Sequence, residues 1–510
     1  MAIPSTQRPA GEFLTGLAGA APIETHISAV FVGVDTVWKM KKAVRLPYLD
    51  FTSLAARRHF LNRELALNAP AAPGLYRDVV PLVRGQAGGL ALNGPGEPLE
   101  WVLRMGRIPT SDFFDRIALA GKLTPALARQ LGRAIARYHA GLVPLTGIDQ
   151  PASLRRLVAE NRASAIASGL AQPSVLAWEQ TALGAIERRL DWLEMRAQTG
   201  FVRRAHGDLH LGNLCLWRGQ PVPFDALEFD ERLASIDLAY DLAFTLMDAE
   251  LKAGRAAANQ VLNGYCTESG DILMVGGLPL FLSLRAMVRA HVQAVRQAPD
   301  EARALMQAAH AFLAPPAPIL VATGGLPGSG KSTLAHALAS QFDPAPGALV
   351  LGSDVLRKRR HGVAPEVRLP DSAYTSEENL AVASALTANS AEVLGLGHAV
   401  IADATFADPA LRTGIQGVAH AARVPFIGFW LEAPLDVLES RVDERGRAVT
   451  PDPSDATPSV VRRAAASLAA PPDAGWHRLP AQGSPKQILD AATVLARRLL
   501  PSTRCRLNGE

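Results

Sequence analysis

Eight consecutive residues, Gly325-Leu-Pro-Gly-Ser-Gly-Lys331-Ser332, constrain this chain more than any other stretch. Glycines at the first, fourth and sixth positions let successive backbone N–H groups turn into one concavity, and such a concavity cradles phosphate oxygens. The flanks fit this reading. The apolar run Ile319–Thr323 precedes the loop, and Leu334, Ala335 and Leu338 give helical apolar spacing after it. The helix start adds the positive end of its dipole. Lys331 would place a compact ammonium between the β- and γ-phosphates of ATP, and Ser332 would offer a hydroxyl to Mg²⁺. Gly325, Gly328, Gly330, Lys331, Ser332 and Thr333 are therefore the expected nucleotide-binding residues.

Downstream, the short apolar runs Ala348–Leu351, Ala399–Ala402 and Phe426–Leu431 alternate with helix-like stretches, which predicts a parallel α/β sheet. Ligands of such sheets bind at the carboxyl ends of strands. Asp354, just past the second run, is placed to orient or deprotonate an acceptor hydroxyl, and Arg357 to grip the acceptor. The plain alternative for Asp354 is a helix cap. Asp403 ends the third run and suits an Mg²⁺-supporting role, again with a cap as the alternative. Arg441, Arg445 and Arg447 are expected either to neutralise a transferring phosphoryl group or to form a solvated basic face. The region from 318 to about 470 resembles the small-molecule and polynucleotide kinase branch of P-loop proteins, with its gluconate-kinase-like, chloramphenicol-phosphotransferase-like and zeta-toxin-like enzymes. That resemblance implies a strand-end Asp as acceptor base and leaves the acceptor open.

A second constellation lies at 206–225. His206-Gly-Asp208-Leu-His-Leu-Gly-Asn213 has H-x-D-x-x-x-x-N spacing, and Asp225 follows twelve residues after Asn213. Phosphoryl transfer needs this grouping. Asp208 would take or orient the acceptor proton, while Asn213 and Asp225 would supply oxygens to the metal. With Ile236-Asp237-Leu-Ala-Tyr-Asp241, the stretch resembles the aminoglycoside phosphotransferase and choline-kinase-like superfamily. Asp237 and Asp241 are expected to hold the catalytic loop from beneath.

The resemblance also implies a strand lysine paired with a helix glutamate. On a strand through Val37–Lys42, Lys39 and Lys41 share one face. Lys39 is the favoured partner of Glu64, with Lys41 second; a basic strand edge is the plain alternative. Glu100–Arg104 resembles the segment that binds adenine through its backbone. No glycine-rich loop precedes Lys39, and Glu24–Ser28 stands in its place.

The fold class expected is mixed α/β and α+β: a bilobal, protein-kinase-like domain followed by a P-loop domain with a parallel α/β sheet. The first domain is expected over 1–310, with a small lobe at about 20–105 and a helical lobe at about 106–310. The second is expected over 318–510. Ala314-Pro-Pro-Ala-Pro318 reads as the linker. The arrangement resembles bacterial proteins in which an aminoglycoside-phosphotransferase-like domain precedes a P-loop kinase.

Composition narrows the partners. Only eight of the 52 basic residues are lysine, so 44 are arginine, and a position that keeps lysine stands out. A net charge of +4 over 510 residues is too thin to indicate a nucleic-acid binder, and 6% aromatics leave few rings on which bases could stack. Cys215, Cys266 and Cys505 form no CxxC pair, which fits a reducing compartment. The N-terminus has no charged-then-apolar leader pattern, and the apolar stretch Ile272–Leu284 is too short to span a bilayer, so a cytoplasmic location is expected. The reading is an ATP- and Mg²⁺-dependent kinase acting on small-molecule hydroxyls at two sites. The alternatives are a 5′-hydroxyl kinase of nucleic acid, with Arg357–Arg360 tracking phosphates, or a module in which only one domain is catalytic.

Overall fold

The computed structural model describes residues 2–46, 49–85, 89–447, 453–467 and 475–500; Cys505 lies outside them. The chain forms two compact units. One comprises residues 1–123, 138–148 and 196–245, and the other 124–137, 149–195 and 246–510.

The first unit opens with helix α1 (Arg8–Ala18), followed by β1 (Ile23–Glu24), β2 (Ser28–Val32) and β3 (Thr36–Lys41). Helix α2 (Leu54–Asn68) leads to β4 (Tyr76–Arg84), β5 (Leu90–Leu92) and β6 (Pro98–Gly106). These strands make one antiparallel sheet in the order β1-β2-β3-β6-β4-β5. Alternation along β3 sends its side chains to opposite faces. Met40 joins Phe31, Val102 and α1 residues Ala10 and Leu14 in one cluster. Val37 packs on the other face with Leu61 of α2, Leu103 and Met105. Lys39 and Lys41 share that second face. The side chain of Ser53 starts α2 by accepting from Ala56 N–H at 3.1 Å.

One expectation fails here. Glu100–Arg104 lies inside β6, a central strand whose backbone pairs with β3 on one side and β4 on the other. All five residues pair with β4, and Leu103 and Arg104 pair with β3 as well, so the stretch is sheet rather than a connecting segment. The Glu100 carboxylate instead binds Arg57 Nε of α2 at 2.9 Å and Gln7 Nε2 at 2.6 Å.

The unit continues with the hairpin β7 (Leu214–Trp217) and β8 (Gln220–Pro223), in which Leu214 pairs with Pro223. Helix α3 (Leu238–Ala253) follows and runs on into the second unit.

The second unit contains α4 (Arg255–Ser269), α5 (Leu278–Val295) and, past the proline-rich linker, a five-stranded parallel sheet. Its elements are β9 (Leu320–Gly325), α6 (Lys331–Leu338), β10 (Leu349–Gly352), α7 (Ser353–Arg360), β11 (Val400–Asp403), β12 (Phe426–Glu432), α8 (Leu435–Gly446), β13 (Trp476–Pro480) and α9 (Pro485–Leu499). The strand order is β10-β11-β9-β12-β13. Ile319, Val321, Ile401, Ile427 and Phe429 pack with Leu334 and Leu338 of α6 and with Ile488 and Ala492 of α9. The apolar stretch at 272–284 continues helically to Val295, a 24-residue run long and apolar enough to cross a bilayer, yet most of its apolar part is buried inside the protein.

Strand β10 is an edge strand, and α4 closes it with side-chain amides. Asn263 Oδ1 accepts from Val350 N–H at 2.8 Å, while Asn259 and Asn263 Nδ2 donate to Ala348 C=O at 3.0 and 3.2 Å. Both asparagines are buried. Asn263→Ala leaves the Val350 N–H unpaired and is expected to destabilise the protein by about 1–3 kcal/mol. A urea titration reads this directly, and an unchanged midpoint would show the cap to be dispensable.

Candidate active sites

In the first unit, β3, α2 and the segment after β8 converge on one ion-pair chain. Lys39 Nζ lies 2.6 Å from Glu64 Oε1 and 2.5 Å from Asp225 Oδ1. Lys41 Nζ lies 2.7 Å from Glu64 Oε2 and 2.6 Å from Glu228 Oε1. Glu64 thus holds both candidate lysines, one on each oxygen, and is fully buried. Lys39 alone reaches Asp225; Lys41 is taken up by Glu228, a partner that sequence reasoning did not assign. Burial works against the Lys39 ammonium, but Asp225 and Glu64 overcome it and raise its pKa well above the usual lysine value.

Asp225 sits at φ 61°, in the left-handed region that Asp tolerates better than most residues. Its N–H donates to the Tyr76 hydroxyl at 2.9 Å, and Ala226 N–H donates to Asn68 Oδ1 of α2 at 2.9 Å. Burial alone would raise the Asp225 pKa, but the Lys39 ammonium brings it down to about 2. The free value is about 3.9. A depressed carboxylate stabilises the fold above the free value, and that contribution drains away as pH falls from about 4 through 2. Asp225→Asn is expected to flatten the stability profile over that window, measured as urea midpoint against pH. An unaltered slope would refute the ion pair.

The loop at 206–213 is held by backbone and buried side chains. His206 and Gly207 N–H groups donate to Asp241 Oδ2 and Oδ1, each at 3.0 Å, and His139 Nε2 lies 3.2 Å from Asp241 Oδ2. Thr245 Oγ1 donates to Leu209 C=O at 2.6 Å. The Asp237 carboxylate pairs in two-pronged fashion with Arg196, at 2.7 and 2.8 Å, 41 residues earlier in the chain. Asn213 Nδ2 donates to Asp208 C=O at 2.9 Å and Asp208 Oδ2 at 3.1 Å, leaving Oδ1 as the oxygen for a cation. Phe224 N–H donates to Asn213 C=O at 3.0 Å and Leu227 N–H to His206 C=O at 2.9 Å, so the Asp225 segment is stitched to the Asp208 loop. The stand-in for a glycine-rich loop is tethered too: Lys42 Nζ binds Glu24 at 2.6 Å and Thr25 C=O at 2.7 Å.

In the second unit, β9 ends in Gly325 and the loop delivers Lys331 to the first position of α6. Gly328 and Gly330 adopt φ of 84° and 90°. Among the described residues, a side chain at Gly330 would meet no atom within 4 Å, which leaves open space there, and the buried Ser329 hydroxyl has no hydrogen-bond partner. Lys331 Nζ donates to Leu326 C=O at 3.0 Å. Ser332 Oγ donates to Asp403 Oδ2 at 2.5 Å, and Thr323 Oγ1 to Asp403 Oδ1 at 3.0 Å. Asp403 thereby joins the P-loop from the neighbouring strand. Thr333 follows on α6 and is exposed.

Asp354 stands in the first turn of α7. Burial lifts its pKa, with Lys331 opposing and the Asp403 carboxylate adding to the rise. Such a group is better poised to take a proton than an ordinary surface aspartate. Arg357 lies in the same electrostatic neighbourhood, but its two terminal nitrogens donate to Ala373 C=O and Asn379 Oδ1, each at 2.8 Å. Arg441 does not join this cluster: it donates to Ala481 C=O at 2.7 Å, fastening α8 to the loop after β13. Arg445 does approach, through Ser454 Oγ at 3.2 Å. Arg447 pairs with Asp443 on its own helix turn at 2.6 Å.

The oxygen sets fit a magnesium nucleotide. Mg²⁺ typically takes one or two carboxylates and completes its shell with water and phosphate oxygens. Asp403 with Ser332, and Asp225 with Asn213, are sets of that size, and the open space at Gly330 suits a phosphate.

Residues 53–276 match the family model described as the phosphotransferase enzyme family, and residues 320–471 match one described as an AAA domain. Uncharacterized proteins of Mycobacterium tuberculosis and Mycobacterium bovis are 28% identical over 490 residues, covering 90% of this chain and 92% of theirs. A solved choline/ethanolamine kinase family protein from Mesorhizobium loti is 13% identical, with a TM-score of 0.35, covering 60% of this chain and 99% of its own. A solved sugar kinase from Janibacter sp. is 20% identical, with a TM-score of 0.28, covering 36% and 97%. The matched families define a kinase-class enzyme. In it, a phosphotransferase segment precedes a P-loop segment on one chain.

Proposed function

We propose that this chain is an ATP- and Mg²⁺-dependent phosphotransferase that phosphorylates hydroxyl groups of small molecules at two separate sites. One observation carries the reading. Each constellation joins a lysine to carboxylates on an unrelated fold: Lys39 is ion-paired with Asp225, whose segment is bonded to the Asp208 loop, and the charge of Lys331 bears on Asp354; in this reading the lysines meet phosphate, and Asp208 and Asp354 meet the acceptors. Bound Mg²⁺ would neutralise charge developing on the phosphates; Asp225 and Asn213 would hold it at one site, and Ser332 and Asp403 at the other. Lys39, steadied by Glu64, fixes the triphosphate. Asp208, steadied by Asn213, orients the acceptor hydroxyl and takes its proton. Lys331 and the loop N–H groups fix the second triphosphate, and Asp354 receives the proton of that acceptor. Both sites act by positioning and charge neutralisation.

The nucleic-acid reading would use Arg357–Arg360. That run is largely committed to internal partners. Arg357 and Lys358 are buried, Arg359 donates to Thr267 C=O at 2.8 Å, and Arg360 pairs with Glu378 at 2.8 Å. The small-molecule reading is therefore preferred, in a cytoplasmic setting. A phosphoryl-transfer screen over sugars, polyols, amino alcohols, aminoglycosides, nucleosides and oligonucleotides, run on wild type, Asp208→Ala and Lys331→Ala, tests it. Transfer only to oligonucleotides, with steep salt dependence, would overturn it. A chain in which one substitution leaves all turnover intact has a single catalytic site in that assay.

A further inference from the structure

Residues 453–457 return to the acceptor side of the P-loop segment, and a three-donor hub anchors them there. The Asp455 carboxylate takes the Lys358 ammonium at 2.6 Å, the Tyr374 hydroxyl at 2.6 Å and Leu369 N–H at 3.0 Å. Lys358 is almost fully buried, so this is not a surface pair free to drift. Anchoring residue 455 places its neighbour. The Ser454 hydroxyl oxygen accepts from Arg445 Nη2 at 3.2 Å, and its O–H is hydrogen-bonded to the Asp354 carboxylate. A serine hydroxyl has one donor and two acceptor positions, so both bonds can coexist.

This is the arrangement that an acceptor alcohol requires. Its proton rests on the candidate base, and a guanidinium lies beside its oxygen. The charge of Lys331 bears on the same carboxylate. Ser454 thus occupies the place that the small-molecule hydroxyl would take.

We propose that Ser454 is a phosphorylation site of this chain's own P-loop segment, seated as an internal acceptor by the Asp455 hub and the Arg445 contact. The inference rests on the reading of Asp354 as the acceptor base. In the step, the Ser454 O–H bond breaks and its proton passes to the Asp354 carboxylate. An Oγ–P bond forms to the terminal phosphorus of a nucleoside triphosphate. The bond from that phosphorus to the bridging oxygen breaks, and the oxygen leaves with its electron pair on the diphosphate. Nothing is oxidised or reduced. The product carries about −1.5 to −2 charge beside Asp354 and Asp455. Like-charge repulsion then works to lift the segment from the acceptor side.

The full-length chain carrying Asp208→Ala, so that the other site is silent, is incubated with ATP and Mg²⁺ and analysed by peptide mass spectrometry. The expected result is one phosphoryl group on the peptide containing Ser454, gained at a rate independent of protein concentration. Ser454→Thr keeps the modification, whereas Ser454→Ala and Lys331→Ala abolish it, with melting temperatures confirming that each variant is folded. A bare Ser454 in a protein that still transfers phosphate to an added alcohol, dependent on Asp354, overturns the proposal and leaves the site reading standing. A bare Ser454 together with no Asp354-dependent transfer brings down both. Phosphate only at other residues also overturns it.

Discussion

Replacing Asp208 with alanine will lower turnover at the first site by about 10²–10⁴-fold, the usual weight of a positioned acid–base group, and will leave turnover at the P-loop site unchanged. The structure makes this a clean substitution. The loop's backbone is fixed by Asp241 and Thr245, neither of which bonds the Asp208 side chain. That side chain is 44% exposed, and its partners are Asn213 and, at 3.6 Å, His210. Stability is expected to shift by no more than about 0.5 kcal/mol, as for a surface position. Separate assays with the preferred acceptor of each site give the comparison. Equal loss in both assays would mean that Asp208 acts on the fold rather than on a proton.

Lys331→Ala gives the complementary result: loss of about 10²–10³-fold or more at the P-loop site, as when one preorganised charge is removed from a transition state. Lys331 is the first residue of α6, whereas Leu334, Ala335 and Leu338 carry its packing, so the helix survives the change. Lys331→Arg is the sharper variant. It keeps the charge but replaces a compact ammonium with a broad planar fork. It is expected to recover little. Near-complete recovery would show that the loop needs only charge, and would remove the reason for a lysine here in so arginine-rich a chain.

The two nucleotide-type constellations were legible because their spacing is local. Gly325–Ser332 and His206–Asn213 each bring their groups together within eight residues. Glu64 was legible through resemblance. Its neighbours on α2 were not: the helix buries Arg57, Leu61, Glu64 and Asn68, a stripe at helical spacing that is mostly polar. An apolar count therefore misses the face that meets the site. The Lys41–Glu228 bridge spans 187 positions, and nothing local announces it. The one available signal was the shared face of Lys39 and Lys41. Arginines were the poorest guides. Arg357, Arg441 and Arg445 have similar local settings, yet only the fold decides which acceptor each fork meets. Helix α1 did leave a mark: a proline near its start and Gly19, at φ 72°, after its end.

The amide cap on β10 bears on how this protein can be dissected. The proline-rich stretch at 314–318 looks like the natural place to cut. A fragment starting there would lack Asn259 and Asn263 and would present the open side of β10, a row of unpaired backbone groups that templates strand addition by another copy. Such a fragment will tend to aggregate for lack of its cap, whatever the soundness of its nucleotide site. The helices that precede the linker in sequence act as a built-in guard against self-association, and a gene encoding the P-loop segment would have to carry α4 with it to yield a soluble product.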